Sequence, residues 1–214
     1  LNGTCNFILS RMRESKCDFD TALTDAKKLG YAEEDPSFDI DGVDAAHKLT
    51  ILTSVAFGCV PNFDDVKIEG IRHISDLDIS FAEELGYRIK LLGIARKNGK
   101  SVEQVVYPCM IKFGSPMAHV EGVNNAIAIK GSASGPVIIE GQGAGADPTA
   151  SAVLADIIDL SRGIRPPILG VSAENLIFNE DENAEIKTGR YYVRLMVLDR
   201  SGVFAEVASA LKDE

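Results

Sequence analysis

Apolar residues in the first sixty positions recur at helical spacing. Phe7, Ile8 and Met12 share one side of a helix over residues 4–14, for which Thr4 is a candidate N-cap. Phe19, Ala22, Leu23 and Ala26 form a second stripe, capped by Asp18 and stopped by Gly30. Ala45, Leu49, Leu52 and Ala56 recur at i, i+4, i+7 and i+11, which predicts a helix from about Gly42 to Phe57. A short strand is expected at 66–68, then a helix opened by Asp76 or Asp78 and closed by Gly86.

The pattern changes after Gly86. Residues 87–96 and 102–107 read as strands joined at Asn98-Gly99, a pair suited to a type I′ turn because both central residues need φ > 0. Two further strands are expected at 126–130 and 136–140, then a helix over 149–161 capped by Asp147 with Pro148 at its first position. Residues 164–188 read as a linker, with Pro166-Pro167 and an acidic run from Asn179 to Glu185. Residues 189–214 then offer a strand at 191–198, a turn at Asp199-Arg200-Ser201-Gly202 and a helix from Val203. This order predicts an α+β domain over residues 1–163, with a mixed β-sheet covered by helices and not a regular βαβ array. The strands at 87–95 and 101–107 are expected to leave apolar surface for a partner.

Composition narrows the function class. The chain has 214 residues, 45% hydrophobic and 25% charged, with a net charge of −10 and mean hydropathy of +0.04. No Lys/Arg stripe is present, which argues against nucleic acid and anionic membranes as partners. No apolar run nears the roughly 20 residues that span a bilayer. Cys5, Cys17, Cys59 and Cys109 are far apart, and His47, His73 and His119 are not at zinc-site spacing. Reduced thiols, a cytoplasmic location and no metal site in this chain are therefore expected. A start at Leu1 and an end within a helical pattern lead to the expectation that both termini are cuts.

Candidate chemistry concentrates between Tyr31 and Lys48. Glu33, Glu34, Asp35, Asp39 and Asp41 precede Asp44 within one short loop. The plain structural reading is a solvated loop with helix-capping acids. Asp44 and Lys48, four apart, share a helix face beside the apolar stripe. A surface ion pair of this kind is worth little by itself. A partly desolvated lysine there could exchange a proton with a polar ligand. A second candidate is Gly141-Gln142-Gly143-Ala144-Gly145-Ala146, between a strand and a helix. It matches a dinucleotide-binding glycine loop, but no second strand with an acid follows, so it reads as a turn that approaches a phosphate. The third, residues 199–202, is an ordinary βα turn whose following helix start could hold a carboxylate.

Several segments together resemble the homoserine dehydrogenase family. They are Asn2-Gly3-Thr4-Cys5-Asn6, Gly30-Tyr31-Ala32-Glu33-Glu34-Asp35-Pro36, and Asp39-Ile40-Asp41-Gly42-Val43-Asp44-Ala45-Ala46-His47-Lys48. Gly86–Leu92, Asn124–Ile127 and Gly141–Ala152 also fit, so the resemblance runs over residues 1–163. The tail from Tyr191 to Val203 is similar to the opening strand and helix of an ACT domain, truncated here.

The resemblance implies a fold like the C-terminal domain of glyceraldehyde-3-phosphate dehydrogenase. It implies reversible interconversion of L-homoserine and L-aspartate 4-semialdehyde with NADP or NAD, in threonine, methionine and isoleucine biosynthesis. Lys48 would exchange the proton. Glu33 and Asp44 would hold the substrate amino group and its surroundings, with Gly3, Thr4, Tyr31 and Asp39 nearby. Gly141, Gly143 and Gly145 would lie near the cofactor. The main nucleotide domain and the segment for a monovalent cation would lie outside this chain, leaving it inactive alone. A homodimer or homotetramer and an amino-acid effector at the ACT portion are also implied. The competing reading is an amino-acid-sensing regulatory protein built from the same parts, which could dispense with Lys48.

Overall fold

The computed structural model describes residues 2–99, 101–178 and 190–212. In chain order the elements are α1 (Gly3–Ser15), α2 (Phe19–Lys28), α3 (Ser37–Ile40), α4 (Val43–Phe57), β1 (Lys67–Ile68) and α5 (Asp76–Glu84). They continue with β2 (Tyr87–Asn98), β3 (Ser101–Lys112), β4 (Asn124–Gly131), β5 (Gly135–Gln142), α6 (Ala146–Ser161) and α7 (Val203–Ala210). Single 3₁₀ turns occupy Pro116–His119 and Ala173–Asn175.

The long hairpin β2–β3 is the floor of the packed region. β1 adds in parallel to β3, giving a mixed sheet of order β1-β3-β2. β4 and β5 form a separate antiparallel pair. The mixed sheet was expected, but the strands fall into two sheets. The hairpin turn lies one position later than Asn98-Gly99: Asn98 pairs with Ser101, so the connecting positions are Gly99 and residue 100. Gly99 takes the positive φ, 62°, that such a tight reversal needs.

The helices pack on one face of the hairpin. Tyr87, Ile89, Leu91 and Ala95 alternate onto that face, with Val106 and Met110 of β3 beside them. One buried cluster joins Cys5, Ile8, Leu9 and Met12 of α1 to Ala22 and Ala26 of α2, Ile79 and Ala82 of α5, and Ile89. A second sets Ala45, Ala46 and Leu49 of α4 against Val66 and Val106. The inner face of α4 is more polar than its apolar spacing predicts. Thr50, Thr53 and Ser54 are buried, while Ala56 is exposed. Thr50 and Ser54 donate back to the carbonyls of Ala46 and Thr50, which makes their burial tolerable.

Three helix starts were read one to three residues late. Asn2, not Thr4, caps α1 by accepting from the Cys5 amide, while the Thr4 hydroxyl donates to the Tyr31 carbonyl. Ser75, not Asp76 or Asp78, caps α5, and Asp78 closes a reciprocal capping box with it. At α6 the cap position is Gly145, and Asp147 and Pro148 lie inside the first turn.

The expected strand at 191–198 has no ladder among the described residues. A strand needs a neighbour to satisfy its amides, and none is paired with it there. The segment is instead anchored by side chains. Tyr192 and Arg194 both donate to Asp78 at the start of α5. Part of the expected linker is also fixed: Ile177 pairs with Cys59 beyond α4, through Val60 N to Ile177 O and Ile177 N to Gly58 O, both 2.9 Å. The acidic run at 179–185 lies outside the described residues.

Candidate functional site

The acidic loop is ordered by contacts that sort its carboxylates. Asp35 accepts from the Ser37 amide just ahead of α3, and hydrogen bonding from the Ser37 side chain, then from that amide, holds its carboxyl below the usual range. Asp41 receives the Arg72 guanidinium, which also reaches the Ser37 hydroxyl at 2.8 Å. Lys27 donates to the Glu34 carbonyl at 2.7 Å. Gly70 lets its strand exit lie directly against Ile40 and Asp41, where any Cβ would collide with their backbone. The Ile71 amide completes this contact by donating to the Ile40 carbonyl. The carboxylates of Asp35 and Asp41 are thus accounted for by the loop's own architecture, whereas Glu34 is held through its backbone carbonyl alone among the described residues.

Asp39 and Asp44 are different. The Asn2 carboxamide donates to Asp39 Oδ1 at 2.6 Å and to Asp44 Oδ2 at 2.7 Å. Its own oxygen caps α1 by accepting from the Cys5 amide at 2.8 Å. Lys48 Nζ donates to the same Asp44 Oδ2 at 2.8 Å. One buried asparagine therefore ties the start of α1 to both carboxylates and, through Asp44, to Lys48. Asp39 Oδ2 and Asp44 Oδ1 accept no hydrogen bond among the described residues. The backbone carbonyl of Asp39 is fixed by the buried Cys5 thiol at 3.2 Å, and burial pushes that thiol far above its ordinary range.

The remaining expected residues surround this clamp unevenly. Tyr31 stacks obliquely on Phe7, with ring centroids 4.9 Å apart, and its carbonyl takes the Thr4 hydroxyl. Gly3 opens α1 beside Val123 O, where a Cβ would stand 3.1 Å away. Glu33 is exposed and has no hydrogen bond or ion pair among the described residues. The desolvation expected around Lys48 is not supplied by these residues, since its side chain is 51% exposed. His47, its neighbour, is sandwiched between Phe38 and Phe63, with centroid distances of 5.7 and 4.2 Å. That stack holds the acidic loop to α4.

The glycine loop lies at the end of β5. Gly145 has φ 118°, a conformation that disfavours any side chain, and α6 begins without a side-chain cap. Gly141 meets nothing within 4 Å, whereas a Cβ at Gly143 would press on Asn125. The loop is fully exposed.

Comparison with known proteins gives this geometry its context. A family model described as homoserine dehydrogenase matches residues 1–158. The chain belongs to the homoserine dehydrogenase family. A homoserine dehydrogenase of Neisseria gonorrhoeae is 44% identical over 100% of this chain and 51% of its own length. One of Helicobacter pylori is 45% identical over 99% of this chain and 50% of its own length. The crystal structure of a homoserine dehydrogenase from Thiobacillus denitrificans superposes with TM-score 0.82 and 41% identity, covering 99% of this chain and 50% of that one. A hyperthermophilic archaeal homoserine dehydrogenase in complex with NADPH matches with TM-score 0.62 and 36% identity, over 77% of this chain and 46% of that one. The chain spans about half the length of the curated relatives it matches.

Two contributors escaped sequence reasoning. Asn2 sat inside a recognised motif, yet only Gly3 and Thr4 were singled out. Asn is among the strongest N-cap residues, and an Asn before a helix was the available signal. Arg72 lies 31 residues from Asp41 and carried no local signal.

Proposed function

We propose that this chain is the substrate-binding and catalytic portion of a homoserine dehydrogenase. The parent protein interconverts L-homoserine and L-aspartate 4-semialdehyde using NADP or NAD. The observation that carries the reading is the Asn2 clamp: two carboxylates, each with one oxygen that accepts no hydrogen bond among the described residues, and a lysine amine 2.8 Å from one of them.

The free oxygens of Asp44 and Asp39 suit a ligand ammonium, since charge-assisted bonds to a carboxylate are short and strong. Exposed Glu33 can close over the same group. Lys48, held by Asp44, is placed to accept the hydroxyl proton as a neutral amine when the alcohol is oxidised, and to return it as an ammonium when the aldehyde is reduced. The Asp44 carboxylate stabilises the positive charge on Lys48 whenever it holds that proton. A bound nicotinamide would supply the hydride chemistry at the carbon that bears this hydroxyl. Gly145 and the uncapped start of α6 fit the approach of an anionic group, and the exposed loop leaves room for it. The rest of the nucleotide site, and any monovalent cation, are assigned to segments outside this chain. Among the described residues no cluster of three His, Cys, Asp or Glu forms a metal cage.

The wider assignment follows from the same reading. Residues 1–163 form the catalytic and dimerisation domain, 164–188 connect, and 189–214 begin an ACT domain that takes an amino-acid effector. The catalytic domain shares the plan of the glyceraldehyde-3-phosphate dehydrogenase C-terminal domain. Apolar surface available to a partner copy remains on 87–95 and 101–107, where Leu92, Ile94 and Tyr107 are half-buried. It also lies on β5, where Val137, Ile138 and Ile139 are exposed, and on α6.

The test compares two substrates in the full-length protein. L-homoserine should support nucleotide reduction, and 4-hydroxybutanoate, which lacks the ammonium, should lose on the order of a hundredfold in kcat/KM as its polar partners go unpaired. Equal turnover of the two would remove the carboxylate clamp from substrate recognition. No homoserine-dependent reduction would overturn the enzyme reading and favour the sensor.

A further inference from the structure

Asn125, at the start of β4, has no part in the reaction just described, yet it stands where the two halves of the site meet. On one side is Gly3 at the opening of α1, where a Cβ would lie 3.7 Å from Asn125 Nδ2. On the other is Gly143 of the glycine loop, where a Cβ would lie only 2.5 Å from Nδ2 and 3.0 Å from Cγ. Asn125 is paired across the ladder with Gly141, so its backbone and the loop share one frame. Its carboxamide is kept in place by donation to the Val123 carbonyl at 3.3 Å.

The segment that carries Asn125 is itself fixed to α1. Asn6, one turn beyond Asn2, donates to the carbonyls of Val120 and Asn124 at 3.0 and 3.2 Å. The buried Lys90 ammonium donates to Asn6 Oδ1 at 2.9 Å and to Val120 O at 2.6 Å. Glu121 gathers Ser10, Arg13, Arg88 and Lys90 around the same turn. The network meets the clamp at Asn6, whose amide donates to the Asn2 carbonyl at 3.2 Å. Its result is a rigid path from the N-terminus of α1 to Asn125.

We propose that Asn125 is a positioning residue, which sets the distance between the amino-acid site at the start of α1 and the glycine loop that faces the nucleotide. On this view Gly143 is glycine because a Cβ there would push the Asn125 carboxamide out of its place. Gly141, in open space, and Gly145, at φ 118°, are glycine for other reasons or for none that packing imposes. The inference rests on the function proposed above. Hydride transfer tolerates little misplacement, and a shift on the order of 1 Å between two bound partners can cost about a hundredfold.

The experiment is a double-mutant cycle in the full-length enzyme, using Asn125→Ala, Gly143→Ala and the pair. Kinetics would be followed with protio homoserine and with homoserine deuterated at the carbinol carbon. Gly143→Ala alone should lower kcat and raise the nucleotide KM, each by about tenfold. Asn125→Ala alone should lower kcat more than either KM and enlarge the isotope effect, because the donor and acceptor carbons are no longer held at the right separation. The pair should recover much of the Gly143→Ala loss, since the truncated side chain makes room for the methyl group. A coupling of about tenfold between the two sites is expected. Additive defects, or an unchanged isotope effect in Asn125→Ala, would overturn the positioning role. Wild-type enzyme without homoserine turnover would overturn both this inference and the reading beneath it, whereas active wild type with additive variants overturns this one alone.

Discussion

The region from α1 to β3 and the region from β5 through α6 are built on opposite terms. In the first, Ile8, Met12, Ile40, Ile71 and Val106 are fully buried, and the acidic loop is fixed by Asn2, Arg72 and Gly70. In the second, α6 has no buried residue, and Val153, Leu154, Ile157, Ile158 and Leu160 all face solvent. α6 is nonetheless a sixteen-residue helix rich in apolar side chains. A helix so apolar, carrying nothing to cover it here, is shaped for burial against something else. The first region is therefore self-contained, while the second is a surface that needs a complement. That division matches a chain with half the length of its relatives.

The sharpest way to break this comparison is to cut the same kind of side chain from both regions. Ile8→Ala should cost about 2–5 kcal/mol, since it opens a cavity in a fully packed core. Ile157→Ala in this chain should change stability by less than about 0.5 kcal/mol, as surface substitutions do. Denaturant unfolding reads both. If Ile157→Ala proved as costly as Ile8→Ala, α6 would already be packed. In the full-length protein the Ile157→Ala cost should rise to that of a covered residue.

The clamp is the next target. Asn2→Ala should lose a helix cap worth about 1 kcal/mol and also release Asp39 from Asp44. Asn2→Ser should keep the cap but not the clamp. Both variants should lose at least about tenfold in kcat/KM for homoserine, whereas only Asn2→Ala should lose the cap's share of stability. Recovery of full activity by the serine variant would reduce Asn2 to a cap.

An effect confined to acid pH is expected at Asp78, where the C-terminal segment meets α5. Burial alone would raise this carboxyl. Hydrogen bonds from the Ser75 amide and hydroxyl, then from Arg194 and Tyr192, outweigh it and bring the pKa down to about 2. A carboxyl depressed in the folded state stabilises it above the unfolded value and stops doing so as pH falls through the folded value. Its contribution, roughly 2 kcal/mol, should therefore be complete above about pH 4 and vanish toward pH 2. The stability gap between wild type and Asp78→Asn should close over that window. A gap independent of pH would mean that the ionised carboxylate is not what holds Tyr192 and Arg194.

Much of this was legible in the sequence, for identifiable reasons. Apolar spacing located α1, α2, α4 and the hairpin strands, because each buries a face against the others. Caps were misread where two polar residues competed: Asn2 with Thr4, Ser75 with Asp76 and Asp78. Spacing could not separate those cases, since the winner depends on backbone angles at the helix entry. The apolar pattern at 191–198 reads as a strand because it suits one, but pairing is a property of the neighbour as well. The Asp44–Lys48 pair was visible as an i, i+4 contact. The division of the acids into those that fasten the loop and the pair held by Asn2 was not, because Asn2 and Arg72 reach them across 31 to 42 residues of chain.

The most direct test of the central claim is homoserine oxidation by the full-length protein carrying Lys48→Ala, at saturating NAD and NADP. Loss of turnover on the order of hundreds-fold or more, with folding and nucleotide binding intact, is the expected result for removal of the proton-transfer group. Near-normal turnover would contradict it, and would leave Lys48 as no more than the ion-pair partner of Asp44.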